Sequence, residues 1–272
     1  MKNKILVGVI VVSLIGIILL GINLFKGNIK ETSEDCFEFN KETKTITAYL
    51  DVCETEVSIP DKIKGVEVEI IASYAFRDKG IEKLVLPETL KEVGIGAFYG
   101  NKINSLKLNE GLEQIKAYAF FQNKLEKIEI PTSVKTIGIS AFNNNELKDK
   151  YAFIYQRNED GTENKSMLIG YGGKNKEVEV PEGVEFIYLS ALSENGIKSI
   201  TFSSTVERIE FNALSDNEIE EITIPKNIMH LGENALMNNP IEKITIEGKK
   251  SIEEFNYVGT NWNNDCKNIV FK

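Results

Sequence analysis

The feature that most constrains the fold is a pair of residues that returns every 22 positions. The pair is alanine–phenylalanine in the first half of the chain and alanine–leucine in the second half. The alanines of the seven copies are Ala75, Ala97, Ala119, Ala141, Ala191, Ala213 and Ala235. A fixed period of about 20 to 50 residues indicates a solenoid, in which each repeat packs on the next.

Residues 125–146 show how one turn is expected to fold, with Leu125 taken as position 1. Apolar and polar side chains alternate through Ile128 and Ile130, which predicts a short strand, and Pro131 ends that strand because it has no amide hydrogen. Alanine at position 17 fits a solenoid because stacked strands lie only about 4.8 Å apart and leave no space for a larger inward side chain. Asparagine at position 21 is expected to satisfy buried backbone groups rather than to bind a ligand.

The LxxLxL spacing at the start of each turn resembles a leucine-rich repeat. The pattern IPxxVxxIGxxAFxxN of residues 130–145 more closely resembles the BspA-type repeats of bacterial surface proteins. This resemblance covers roughly residues 57–247. It implies a leucine-rich repeat superhelix of 22-residue turns, built mostly from short β-strands in a parallel sheet and capped at both ends. It also implies a role in adhesion or interaction rather than catalysis.

The first 30 residues are predicted to be an N-terminal membrane anchor. Residues 5–25 carry only Ser13 and Asn23 as polar side chains, and as a helix they would span about 31 Å, close to the hydrocarbon core of a bilayer. The alternative is a cleaved signal peptide and a secreted protein. The resemblance to surface proteins favours a single-pass protein of the cell membrane with its body outside the cytoplasm.

Both ends of the solenoid need caps, since an end turn would otherwise leave an open sheet edge in water. Residues 31–56 are predicted to form a hairpin cap, and residues 248–272 a C-terminal cap. Cys36 and Cys53 have two open alternatives, a disulfide outside the cytoplasm or two buried free thiols.

The repeats, predicted over residues 57–247, are interrupted between Leu147 and Val178, where the register carries 28 extra residues. Two apolar runs flank Asp160 and Gly161, a signal for a hairpin, so residues 148–175 are expected to project as an island. Aromatic side chains make this hairpin a candidate binding surface, with Tyr151, Phe153, Tyr155 and Tyr171 as its candidate residues.

Side chains at positions 3 and 5 of each turn are expected to point outward from the inner sheet, on the concave face of the solenoid. Extended faces of this kind are where solenoids usually bind, although charges and threonines are also what any exposed strand carries. The candidate residues on this face are Lys83, Ser105, Lys107, Lys127, Glu129, Glu177, Glu179, Thr201, Glu221, Thr223, Lys243 and Thr245.

Composition narrows the function further. The formal net charge is −9, and residues 31–272 hold 28 basic and 41 acidic side chains, a balance that phosphate backbones would repel. Three cysteines and one histidine, His230, are too few for most metal or Cys/His catalytic sites, and His230 is expected at the surface. We therefore predict no catalytic residues, no metal and no cofactor. The predicted function is binding of another protein or a surface glycan; the alternative is a purely structural envelope or stalk component.

Overall fold

The computed structural model describes residues 29–263 and 265–272, which form a solenoid of stacked turns. The predicted fold needs one correction, because it included a transmembrane helix. In the described ranges no helix is long and apolar enough to cross a membrane, since the chain turns a corner after every short strand. The predicted span, residues 5–25, lies outside the described residues.

The described chain up to residue 148 contains short strands and one 3-10 turn, Glu34–Cys36. The strands are β1 (Phe37–Asn40), β2 (Thr45–Tyr49), β3 (Glu56–Ser58), β4 (Lys62–Ile63), β5 (Val66–Glu67), β6 (Ile70–Ile71), β7 (Lys83–Val85), β8 (Glu92–Val93), β9 (Gln114–Ile115) and β10 (Thr136–Ile137).

From residue 149 onward the structure has one short α-helix, α1 (Asp149–Ala152), a second 3-10 turn, Ile252–Glu254, and further strands. These strands are β11 (Phe153–Arg157), β12 (Glu163–Tyr171), β13 (Glu177–Glu179), β14 (Phe186–Ile187), β15 (Ser199–Thr201), β16 (Arg208–Ile209), β17 (Glu221–Ile224), β18 (His230–Leu231), β19 (Lys243–Ile246), β20 (Tyr257–Val258) and β21 (Ile269–Phe271).

Regular turns contribute strands to two stacks. Strands at positions 12 and 13, together with strands of the two caps and of the hairpin, form two sheets, ordered β1-β2-β6-β8-β9-β10 and β11-β12-β14-β16-β18-β20. Strands at positions 3 to 6 form the shorter groups β3-β7, β13-β15 and β17-β19-β21. The period of the repeat sets the register of the parallel strands, because paired residues of regular turns are one period apart. Arg208, for example, pairs with His230. We call the surface formed by the side chains at positions 3 and 5 the strand face.

The corner at positions 17 and 18 holds the core together. All seven alanines of the repeat are at most 4% exposed, as close stacking predicts. Phenylalanine rings stack from turn to turn, with centroids 4.9 Å apart between Phe76 and Phe98 and 5.2 Å apart between Phe98 and Phe120. The rings end at Phe142, and leucine takes the same position in the later turns. These columns run through the apolar cores of the two halves, which are the main source of solenoid stability.

The asparagines at position 21 bond to the backbone, as predicted. Asn123 is 3% exposed, and its Nδ2 donates to the carbonyl oxygens of Phe98 at 2.9 Å and Phe120 at 3.2 Å. Its Oδ1 accepts the amide hydrogen of Ile103 at an N···O distance of 3.1 Å. Asn123 therefore links two successive corners to the start of its own turn, and these bonds occupy the side chain, as expected for a structural column rather than a ligand-binding ladder.

The N-terminal cap is an antiparallel pair of strands, β1 and β2, laid on the first turn. Strand β2 pairs in parallel with β6, and the Tyr49 ring stacks on Phe76 with centroids 5.0 Å apart. Cys36 and Cys53 form a disulfide whose Cα atoms are 6.0 Å apart. At the other end Trp262, 6% exposed, accepts the amide hydrogen of Leu236 at its carbonyl oxygen, so this segment covers the last corner.

The hairpin between Leu147 and Val178 does not project as an island. Met167 and Leu168 of β12 pair with β14, so the hairpin supplies a strand of the sheet. Its inward side chains, including Leu168 at 0% exposure, lie between the cores of the two halves. The physical reason is that β12 replaces the strand at positions 12 and 13 of one extra turn, whose apolar residues must be buried. This extra turn adds β11 and β12 on the side of positions 12 and 13, and the short helix α1 on the strand face.

Candidate functional site

The extra turn opens a cleft on the strand face. Strand β13 pairs with β15 of the next turn, but no strand of the described chain pairs with its other edge, and Asp149 and Ala152 of the short helix α1 line the cleft there. The result is an open cleft of about 850 Å³, within the usual size of ligand sites. Its lining residues are Leu147, Lys148, Asp149, Ala152, Phe153, Tyr171, Lys174, Asn175, Glu177, Val178, Glu179, Ser199 and Thr201.

The charged groups of the cleft leave an excess of negative charge. Of its two cations, Lys148 pairs with Glu126 at 2.5 Å, whereas Lys174 lies 3.9 Å from Glu146, a carboxylate that also pairs with Lys124 at 2.9 Å. The carboxylates of the cleft, those of Asp149, Glu177 and Glu179, form no ion pair with any residue that the structure describes. The cleft therefore offers three carboxylates to a cationic ligand.

Aromatic rings form the apolar wall. Phe153 is half-buried and packs against the Tyr171 ring with centroids 5.1 Å apart. Tyr171 is 2% exposed, and its hydroxyl donates to the carbonyl oxygen of Asn175 at 2.9 Å. Burial, with a smaller effect from the nearby Asp149 carboxylate, raises the pKa of Tyr171 to about 12. Its hydroxyl thus stays neutral at physiological pH and fixes the loop before β13.

The backbone of β13 is open toward the cleft. The Val180 amide donates to the Thr201 carbonyl and the Lys176 carbonyl accepts from Lys198, so alternate peptide groups bond to β15. Because peptide groups alternate along a strand, those of Glu177 and Glu179 point to the opposite edge. The Glu177 amide is capped by Asn175 Oδ1 at 3.1 Å. The Glu179 amide and the carbonyls of Glu177 and Glu179 have no hydrogen-bond partner in the described part of the chain.

The predicted aromatic surface is divided by the structure. Phe153 and Tyr171 line the cleft, whereas Tyr151 and Tyr155 border a separate hollow of about 50 Å³. Tyr151 lies beneath two cations, the Lys150 ammonium at 4.7 Å and the Lys127 ammonium at 5.6 Å from the ring centroid. Tyr171 is too deeply buried to contact a ligand with more than its edge.

Only part of the predicted outward row of positions 3 and 5 reaches the cleft. Glu177, Glu179 and Thr201 line it, and Lys127 stands beyond α1 with its ammonium 2.7 Å from Glu129. The exposed or half-buried remainder lies along the rest of the strand face: Lys83, Ser105, Lys107, Glu221, Thr223 and Lys243. Thr245 is 7% exposed, so it does not belong to the accessible surface.

Sequence reasoning missed several groups. Lys148, Asp149, Lys174 and Asn175 line the cleft, and the signal that could have found them is the break in register, because an irregular turn interrupts the row of strands. It also missed an aromatic cluster at the corner. There the Arg77 guanidinium lies 4.8 Å from the Tyr99 ring centroid and 5.7 Å from the Tyr74 ring centroid. The Tyr74 side chain is 52% exposed. In the same cluster Tyr118 packs edge-on against Phe121.

His230 differs from its predicted surface position. It is half-buried, its ring stacks on Tyr257 with centroids 4.6 Å apart, and Nε2 lies 3.4 Å from a Glu210 carboxylate oxygen. Burial lowers the pKa of His230, and the Glu210 carboxylate partly opposes that shift. Within residues 29–263 and 265–272, no group of three or more His, Cys, Asp or Glu side chains is placed to hold a metal ion.

Comparison with known proteins adds the family. A protein-family model described as BspA type leucine rich repeat region matches residues 68–156 and 171–270, in 6 copies. The gap between the two matched segments falls on the hairpin, the part of the chain that departs from the repeat. No curated protein matches the chain.

Solved structures with a similar fold come from bacteria. The pneumococcal vaccine antigen PcpA is 18% identical, with a TM-score of 0.50, and the match covers 87% of this chain and 71% of that one. A leucine-rich repeat protein from Eubacterium ventriosum is 18% identical, with a TM-score of 0.49 and coverage of 75% and 72%. A leucine rich cell surface protein from Faecalibacterium prausnitzii is 15% identical, with a TM-score of 0.44 and coverage of 90% and 96%. The likeness to PcpA shows a shared fold and says nothing about a ligand.

Proposed function

Because the chain belongs to the family of BspA type leucine-rich repeat proteins, we propose that it is a binding protein that works outside the cytoplasm and holds another macromolecule on its strand face. Leucine-rich repeat proteins build extended surfaces for binding rather than enclosed sites for catalysis. The observation that carries the proposal is the cleft beside β13, because two independently predicted surfaces, the hairpin and the strand face, meet there.

The proposed location rests on the disulfide between Cys36 and Cys53. Disulfides persist in oxidising compartments and are rare where glutathione keeps thiols reduced. The measurement is alkylation of thiols in intact cells, followed by mass spectrometry without reduction. We expect the peptides of Cys36 and Cys53 to remain linked and unalkylated, whereas two alkylated thiols would place the body in a reducing compartment.

The kind of ligand is limited by charge. With a net charge of −9 the chain repels nucleic acids, which leaves proteins and surface glycans as the proposed partners. The cleft offers carboxylates, hydroxyls and an aromatic wall, and such groups can contact either a protein or a glycan. The competing function, a stalk or envelope component that only spaces other parts, needs no cleft and predicts no saturable ligand.

The experiment uses the full chain immobilised on a sensor and probed with arrays of extended peptides and surface glycans. A cysteine introduced as Ser199→Cys in the cleft is coupled to a bulky polyethylene glycol maleimide. The matched control is Ser204→Cys, an exposed residue that does not line the cleft. We expect saturable binding that is lost only with the label at residue 199. Absence of saturable binding would favour the spacer function, and equal loss from both labels would contradict the assignment of the binding surface to the cleft.

A further inference from the structure

We infer that the cleft takes an extended, lysine- or arginine-rich segment of another protein, which adds as a strand to the open edge of β13. This inference rests on the proposed function and specifies its ligand. Three features of the cleft support it independently: the open backbone edge, the unpaired carboxylates and the spacing of the side chains.

The open edge provides the backbone contacts. The Glu179 amide and the carbonyls of Glu177 and Glu179 point into the cleft and have no partner in the described part of the chain. Exposed strand edges of this kind are templates for a further strand, and several peptide-binding domains use them in this way. The Asn175 side chain caps the Glu177 amide and so marks one end of the edge. A ligand would pair over the short length of β13.

The carboxylates select the charge of the ligand. Glu177 and Glu179 are both exposed on the strand face, and Asp149 of α1 also lines the cleft. Lys148 does not neutralise them, because it pairs with Glu126 at 2.5 Å, and Lys174 alone leaves the three carboxylates in excess. An acidic peptide would be repelled, whereas a basic peptide would find three carboxylates along the cleft.

The spacing of the side chains fits an added strand. Glu177 and Glu179 are two residues apart, and side chains of neighbouring strands that lie side by side share a face. A peptide with a basic residue at every second position therefore places one cation beside each glutamate. The half-buried Phe153 ring lies on the cleft wall, where the aliphatic part or the charge of a basic side chain can pack against it. A glycan would match the aromatic wall and would leave the backbone edge unused.

The test begins with a labelled nine-residue peptide that has lysine at every second position and threonine or valine between. Its binding to the full chain is measured by fluorescence anisotropy. Two further peptides carry N-methyl groups on the backbone, one on the lysine amides and one on the amides between. Because an added strand turns only alternate amides toward β13, we expect the Kd values of the two methylated peptides to differ at least tenfold. A peptide with glutamate in place of lysine should not bind.

Protein variants supply the complementary test. Glu177→Lys combined with Glu179→Lys should weaken the lysine peptide at least tenfold, and Glu179→Pro should do so by removing the amide that faces the cleft. Proline is tolerated on a strand edge, and circular dichroism melting checks that each variant is folded. The matched control combines Glu207→Lys with Glu233→Lys, two exposed glutamates outside the cleft that give the same change in net charge. The control should bind the peptide with little change.

The outcomes separate this inference from the proposed function. Equal Kd values for the two methylated peptides would overturn strand addition, and an equal loss in the control variant would overturn the assignment to the cleft. A third outcome is saturable binding of a glycan that the label at residue 199 blocks, while the lysine peptide does not bind. That result would overturn the inference of a basic protein segment and would keep the proposed function. Absence of any saturable ligand would remove both.

Discussion

Asn143 bonds directly to the turn that follows the insertion, with its Nδ2 3.1 Å from the carbonyl oxygen of Ala191, 48 residues further along the chain. Nearby, Ser140 Oγ lies 3.3 Å from the carbonyl oxygen of Ser190, so the two corners stack with no corner between them. The extra turn is therefore a wedge, which is present on the two strand sides and absent at the corner. Asn143 also accepts the backbone amide hydrogen of Tyr171 at its side-chain Oδ1, with an N···O distance of 3.0 Å, and so fixes the end of β12 as well.

We expect Asn143→Ala to destabilise the fold by about 2 kcal/mol or more. The side chain is fully buried, and its removal leaves the Tyr171 amide and the Ala191 carbonyl without this partner, at about 1–3 kcal/mol for each buried group. Urea unfolding measures the change. Asn104→Ala, on an exposed residue, is the control and should alter stability by less than about 0.5 kcal/mol. Equal midpoints for the two variants would show that the bridge is not needed.

We expect Leu168→Ala to cost about 2–5 kcal/mol, because Leu168 is 0% exposed and packs between β11 and the core of the second half. The matched control on the same strand is Lys165→Ala, whose side chain is exposed. The two variants are compared by thermal melting. A hairpin that projected into solvent would make both substitutions nearly neutral, so equal melting curves would contradict the wedge.

We expect Ala119→Leu to destabilise the protein by about 1–3 kcal/mol through overpacking. Ala119 is 0% exposed at a corner where the next turns follow at strand spacing, so extra carbon atoms have no space. Chemical unfolding is the measurement. Ala117→Leu, at a half-buried position two residues earlier, serves as the comparison and should cost less. A variant at residue 119 as stable as the original chain would disprove the packing argument for the alanine column.

The period of 22 residues was enough to predict the solenoid, the alanine corner and the role of the asparagines, because each column repeats the same contact. Asn123 illustrates this, since the equivalents of its bonds to Phe98 and Ile103 recur at Asn145 and Asn217, although Asn195 beside the insertion accepts from Asn144 instead. The hairpin could not be placed in the same way. Its pattern indicates two strands and a turn. Whether these strands project into solvent or enter the sheet depends on which other strand forms backbone hydrogen bonds with β12. The pairing of Met167 with Phe186 decides this, and no local pattern encodes it.

The candidate site shows the same limit. Glu177 and Glu179 were predicted from their positions in the repeat, whereas Asp149 lies outside any repeat and enters the cleft only because α1 occupies the place of a strand. Tyr171 was predicted as a surface aromatic residue, yet its ring is buried against Phe153. Sequence alone gives the composition of the hairpin but not which face of it meets the core.

We expect His230 to make stability fall as the pH drops below about 6.5. Burial lowers its pKa in the folded chain, with Glu210 opposing and Arg208 adding to the shift, so the unfolded chain binds the proton more tightly. The folded protein therefore has the full stabilisation from the neutral His230 ring at pH values above the pKa of the unfolded chain. This stabilisation is lost as the pH falls from that pKa to the lower pKa of the folded chain. Between about pH 7.5 and pH 5.5, wild type should lose more stability than His230→Gln, which cannot titrate. Parallel loss in the two proteins, measured by urea midpoints, would assign the effect to other groups, since the ring also stacks on Tyr257.

We expect the disulfide to hold the N-terminal cap on the solenoid. Cys36 and Cys53 are separated by 17 residues in sequence, and a loop of that length contributes about 3 kcal/mol when it is closed. The double variant Cys36→Ser with Cys53→Ser should therefore unfold at lower urea concentration than the original chain. The loss should be concentrated in β1 and β2, where hydrogen exchange of backbone amides should accelerate while the Ala213 corner stays protected. The control is Cys266→Ser, which removes a buried free thiol at the other end and should leave exchange in the cap unchanged. Uniform acceleration along the whole solenoid in the double variant would show that the cap unfolds only together with the repeats, because a capping unit of a repeat protein either opens on its own or takes its neighbours with it.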